Sequence, residues 1–66
     1  MKTLSNIRRA RNITQKVLAD AVGVTQRAIA NYEAGTRQPS PEVGEKIARF
    51  LGMDIPTMWE VLYRSK

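Results

Sequence analysis

Gln15-Lys16-Val17-Leu18-Ala19-Asp20-Ala21-Val22-Gly23-Val24-Thr25-Gln26-Arg27-Ala28-Ile29-Ala30-Asn31-Tyr32-Glu33 is the stretch whose reading decides the fold. Val17, Leu18, Ala21 and Val22 recur at helical spacing, and Thr14 stands just ahead of them as an N-cap. Gly23 follows as a stop, because glycine accepts the positive φ that ends a helix. Thr25 then caps a second helix that carries Ala28, Ile29 and Tyr32 and ends before Gly35. Two short helices, 15–22 and 26–34, are therefore expected on either side of a tight turn. Ala19 is small enough to let the second cross the first closely, and Val24 and Ile29 are placed to seal the corner.

The flanking sequence extends the same pattern. Leu4, Ile7, Ala10 and Arg11 predict a helix from about Thr3 to Arg11, broken at Asn12-Ile13. Pro39 and Pro41 make Thr36 to Pro41 a loop. Ser40 caps a fourth helix with Pro41 at its first position, where the missing N–H has no intrahelical partner to lose. Glu42 and Glu45 lie in its early turns, on the favourable side of the helix dipole. Val43, Ile47, Ala48 and Leu51 form its expected inner face, and Gly52 ends it. Asp54 caps a fifth helix to about Arg64, where Ile55, Met58, Trp59 and Leu62 fall at i, i+3, i+4 and i+7. No strand-like alternation occurs, so the chain reads as one all-α domain over residues 1–66.

Composition removes several function classes. The 66 residues include no Cys and no His, which excludes disulfides, thiolate or imidazole metal sites and the common nucleophile–base pairs. No cofactor and no enzymatic activity are expected. No apolar run approaches the roughly 18–20 residues that span a bilayer, and the N-terminus lacks an apolar signal core, so a cytoplasmic location is expected. The net charge of +5 is unevenly placed. Residues 1–37 hold seven of the eleven Lys and Arg but only two of the six acids, Asp20 and Glu33, while residues 38–66 balance four against four. One end of the domain is thus expected to face a polyanion and the other to be neutral.

The two helices and their turn form a helix-turn-helix pattern, whose second helix is the one that enters a DNA groove. Thr25, Gln26 and Arg27 gather at the start of that helix, with Asn31 about one turn on. Gln and Asn suit adenine, Arg suits guanine, and a Thr methyl suits thymine. Further residues in register are Leu4-x-x-Ile7-Arg8, Thr14-Gln15-x-x-Leu18-Ala19, Val22-Gly23-Val24-Thr25, Ile29-x-Asn31-Tyr32-Glu33-x-Gly35, Arg37, Pro39-Ser40 and Phe50-Leu51-Gly52-Met53-Asp54-Ile55. Over Leu4 to about Trp59 the chain resembles the Cro/CI-type (XRE family) helix-turn-helix regulators.

That resemblance implies an all-α, five-helix, lambda-repressor-like DNA-binding domain with its helix-turn-helix at helices two and three. It implies base reading by Gln26, Arg27 and Asn31, with Thr25 on a base edge or phosphate. It implies phosphate contacts from Gln15 and Arg37, and a structural salt bridge between Arg8 and Glu33. Lys16 and Arg11, in the basic rim with Lys2 and Arg9, are further candidates for phosphate. Backbone N–H groups near Gln15 and Glu42 could add neutral phosphate contacts.

Ile55, Met58, Trp59, Leu62 and Tyr63 are many large groups for the end of a small domain, and apolar surplus marks interfaces. A two-fold homodimer through the fifth helix (55–64), with Trp59 or Met58 central, is the expectation. The expected function is a dimeric repressor on a pseudo-palindromic double-stranded operator, with no membrane and no small-molecule effector. The alternative is an antitoxin-like chain that binds a toxin partner and regulates its own operon.

Overall fold

A computed structural model describes residues 3–63. Lys2 and Arg64, read from sequence as part of the basic rim and as the end of the last helix, lie outside the described residues. The order is α1 (Leu4–Ala10), α2 (Gln15–Val22), α3 (Gln26–Ala34), α4 (Pro41–Leu51) and α5 (Ile55–Tyr63), with no strand among the described residues.

Each helix starts where a short polar side chain can take up an orphan backbone N–H. Thr3, Thr14, Thr25 and Ser40 accept from the N–H three residues on, at 3.1, 3.1, 3.0 and 3.3 Å. Asp54 does the same for Thr57 (3.4 Å) and also accepts from the Thr57 hydroxyl at 3.0 Å. That hydroxyl bond is the main reason the Asp54 carboxyl titrates below its ordinary value. The break after α1 is a left-handed turn at Asn12 (φ 59°), which lets the Ile13 N–H reach the Arg8 carbonyl at 3.1 Å. Asn tolerates this conformation better than most side chains.

Leu18, Ile29, Ile47 and Met58 are fully buried, one from each of α2 to α5, and Leu4 and Ile7 of α1 close over them. α2 packs on both α3 and α4, α4 on α5, and α1 on α3. Ala19, Val22, Ala48, Leu51 and Leu62 complete the cluster, with Val24 and Val43 half-buried against it. Three expectations are corrected at this level, the first being Ala21 of α2, which is exposed. Val17 is 48% exposed, because Leu18, Ala19 and Val22 already fill the inner side of α2. Ala10, expected among the recurring positions of α1, is also exposed.

The largest correction concerns α5. Met58 is 0% exposed and Leu62 6%, both inside a single chain, so neither can form a seam with a second copy. Both belong to the common core cluster, and their neighbours Trp59 and Tyr63 are drawn onto α4 at Gly44, in the middle of that helix. A Cβ there would stand 2.9 Å from Tyr63 Oη and 3.2 Å from the Trp59 ring. The missing side chain leaves a slot into which both rings settle, edge to face at 5.2 Å. Trp59 and Tyr63 are consequently half-buried. Tyr63 Oη then donates to the Pro39 carbonyl at 2.6 Å, with the Ser40 carbonyl 3.2 Å away. Only Ile55 of the expected seam stays exposed, and Phe50, at the end of α4, joins it as an exposed apolar group.

Candidate nucleic-acid interface

The turn between α2 and α3 is set by Gly23, whose φ of 80° returns two N–H groups to the Ala19 carbonyl, its own (2.9 Å) and that of Val24 (3.0 Å). A side chain with a Cβ would strain this backbone. α3 therefore leaves α2 at a fixed angle, and Ile29, 0% exposed, anchors its inner side. At 3.6 residues per turn, Arg27, Ala30, Asn31 and Ala34 fall on the side of α3 opposite Ile29. Arg27 and Ala34 are exposed, and Ala30 and Asn31 half-buried. The face thus offers two hydrogen-bonding side chains separated by methyl groups. The alanines were not singled out from sequence. Their signal was their spacing from Arg27, which only the position of Ile29 makes meaningful.

The start of α3 is wired to the rest of the domain. Buried Arg8 gives Glu33 a forked contact, Nε to Oε2 at 2.6 Å and Nη2 to Oε1 at 3.3 Å, both side chains being 9% exposed. Arg8 Nη1 also donates to the Ile13 carbonyl at 2.7 Å. A buried pair of this kind is tolerable only when its remaining donors and acceptors are used. Among the described residues no buried side-chain N or O lacks a partner. Gln15 Nε2, at the start of α2, donates to Glu33 Oε1 at 2.9 Å, and Gln26 Nε2 donates to Gln15 Oε1 at 3.5 Å. Arg8, Glu33, Gln15 and Gln26 form one continuous chain across α1, α2 and both ends of α3.

The remaining candidates divide. Thr25 is exposed and its Oγ1 accepts the Ala28 N–H, so its hydroxyl proton and methyl are what it has left to offer. Arg37 is exposed, and its backbone N–H points to the Asn31 carbonyl (3.4 Å), which also takes the Thr36 N–H at 3.1 Å. The loop carrying Arg37 is thereby pinned to the far end of α3. Lys16 makes an exposed pair with Asp20 at 3.3 Å, a contact of the kind worth about 0–1 kcal/mol and easily exchanged for a phosphate. Arg11 is elsewhere. Its Nε donates to the Leu51 carbonyl at 2.9 Å and its Nη1 to the Ile7 carbonyl at 3.3 Å. Leu51 ends α4 and its carbonyl is an orphan acceptor, so Arg11 is a clamp between α1 and α4.

Residues 4–57 match the helix-turn-helix family model. The phage repressor RstR (cryptic phage CTXphi transcriptional repressor) of Vibrio cholerae is 35% identical over 52 residues, which is 79% of this chain and 47% of that protein. An uncharacterized HTH-type transcriptional regulator of Methanocaldococcus jannaschii is 38% identical over 52 residues, 79% of each chain. The chain belongs to the XRE-type helix-turn-helix family. It spans about half of the phage repressor and about four-fifths of the archaeal protein. No solved structure matches it significantly.

For an XRE-type chain the five helices are the lambda-repressor-like fold, and α2 with α3 is its helix-turn-helix. The second helix of such a motif lies in the major groove with its N-terminal residues toward the base edges. Here those residues are Gln26 and Arg27, both exposed. No helix among the described residues is long and apolar enough to cross a membrane.

Proposed function

We propose that this XRE-type chain is a sequence-specific double-stranded DNA-binding regulator that acts as a repressor by occupying a promoter. The observation that carries this reading is the outward face of α3. Arg27 and Asn31 stand on it, with Gln26 beside them held from behind by Gln15. Gln15, Lys16 and Arg37 flank that face as phosphate contacts, which fix orientation without reading sequence. The name of the Vibrio cholerae relative, a transcriptional repressor, supports the sign of regulation.

The working unit in this proposal is two chains. With Met58 and Leu62 buried, the contact shifts to the corner between α4 and α5, where Phe50 (42% exposed) and Ile55 (36%) remain outside. The even charge balance of residues 38–66 lets two copies approach there. A two-fold pair would place its reading helices on half-sites about 34 Å apart.

Selection of bound sites from random double-stranded DNA tests the reading directly. The expected result is an inverted repeat with half-sites one helical turn apart. Affinity should fall steeply with salt, each neutralised phosphate adding about −0.9 to the slope of log K against log salt concentration. A slope near zero would overturn the proposal. Sedimentation of a Phe50→Ser, Ile55→Ser chain should show monomers, and an unchanged mass would move the contact elsewhere.

A further inference from the structure

The chain Arg8–Glu33–Gln15–Gln26 has a direction, and the direction originates at Glu33. A carboxylate only accepts hydrogen bonds, whereas an amide can present either its oxygen or its NH2. Glu33 receives Arg8 on both oxygens, at 2.6 and 3.3 Å, and Gln15 Nε2 at 2.9 Å. Gln15 must therefore turn its NH2 toward Glu33. Its Oε1 then faces the other way, where it accepts from Gln26 Nε2 at 3.5 Å. One N–H of Gln26 is committed to that bond, so Gln26 presents its Oε1 and its second N–H outward.

An acceptor next to a donor is the complement of adenine, which offers the N6 amino group and N7 in the major groove. The opposite orientation of Gln26 would direct Oε1 at Gln15 and both N–H groups outward. Two donors are the complement of guanine, which offers O6 and N7. We propose that Glu33 is a positioning residue for recognition. By fixing the amide of Gln15, and through it that of Gln26, it makes the base read by Gln26 an adenine and disfavours guanine. This rests on the DNA-reading role proposed above. Glu33 itself, 9% exposed and behind the reading face, touches no base in this scheme.

The experiment is a parallel selection from random double-stranded DNA with the full chain and three variants. Gln26→Ala identifies the base pair that Gln26 reads, as the position whose preference it erases. The unaltered chain should prefer adenine there. Glu33→Gln replaces an obligate acceptor with a group that can also donate, so the amides can reverse. The adenine-over-guanine ratio at that position should drop about tenfold, the lower part of the range for one bidentate contact, with other positions keeping their preference.

Gln15→Ala cuts the same chain while leaving the Arg8–Glu33 pair in place, and should lower the ratio equally. It decides the matter if Glu33→Gln does not fold by circular dichroism. An undiminished ratio in Gln15→Ala or in folded Glu33→Gln would overturn the proposal, as would a guanine at the Gln26 position or no position that responds to Gln26→Ala. Each of those leaves DNA reading standing. An unaltered chain that enriches no motif at all overturns the DNA reading and this proposal together.

Discussion

Two contacts hold the ends of this small domain together, and they work by opposite means. Around Glu33, α1, α2 and α3 meet through charge and hydrogen bonds, with donor–acceptor distances from 2.6 to 3.5 Å. Around Gly44, α4 and α5 meet through shape, with two aromatic rings filling the space of an absent side chain. Packing is non-directional and can only set where a helix lies. Hydrogen bonds have donors and acceptors in order, so they can also set which way an amide points. The directional contact holds α3, and the shape-based one joins α4 and α5. Substitutions at the two ends should therefore fail differently.

The largest effect is expected at the polar end. Glu33→Ala leaves the Arg8 guanidinium buried at 7% exposure without its carboxylate, with the Ile13 carbonyl still accepting from Nη1. Breaking such a pair typically costs about 3–5 kcal/mol, and urea denaturation should show a loss of that order. Replacing both members by apolar residues, as in Arg8→Met with Glu33→Leu, should restore much of the stability without restoring base preference. Recovery of both would show that the polar end only holds helices, and the comparison would collapse.

Next in size is Arg27→Ala. Its guanidinium is exposed on the outward face of α3 and outside both contacts, so stability should be nearly unchanged. Binding to the selected site should weaken by about 1–3 kcal/mol, with relaxed preference at one base pair. Competition titrations against specific and random DNA measure this. An equal loss on both would make Arg27 a phosphate contact.

These two ends were not equally legible in the sequence. Helix limits were, because Thr14, Thr25, Ser40 and Asp54 cap locally and Gly23, Gly35 and Gly52 stop locally. The exposed start of α3 was legible for the same reason, since Gln26 and Arg27 follow their cap directly. The fate of α5 was not. An apolar stripe states that it will be covered, and not by what, and the slot at Gly44 exists only once α4 and α5 are side by side. Arg11 shows the same limit for charge. A cation near a helix end suits a phosphate or a carbonyl equally, and its actual acceptor lies forty residues away at Leu51. Gln15 and Glu33, eighteen residues apart, were each noticed without any sign that they touch.

Gly44→Ala probes the shape-based end. The added methyl gains helix propensity of about 1 kcal/mol but meets Trp59 at 3.2 Å and Tyr63 Oη at 2.9 Å. Overpacking of this kind costs about 1–3 kcal/mol, so a net loss near 1 kcal/mol is expected in thermal or urea unfolding. Base preference should be intact, because nothing directional connects this seam to Gln26. A changed preference would mean that α4 and α5 steer α3 after all.

The smallest expected effect is at Tyr63, where a hydrogen bond adds direction to the shape-based end. Tyr63→Phe removes the donor to the Pro39 carbonyl and should cost about 0.5–1.5 kcal/mol at neutral pH. Burial, with Tyr32 nearby as a lesser cause, raises the Tyr63 phenol above its ordinary value. Above the ordinary phenol pKa of about 10 the folded state therefore holds this proton more tightly than the unfolded chain does. Its contribution is complete below that pH and is lost as pH rises through the folded-state value. Stability of the unaltered chain should thus fall in alkali beyond pH 10, and the Phe variant should fall less over the same interval. Parallel slopes in the two chains would place the alkaline loss outside Tyr63, and would reduce the seam at Gly44 to packing alone.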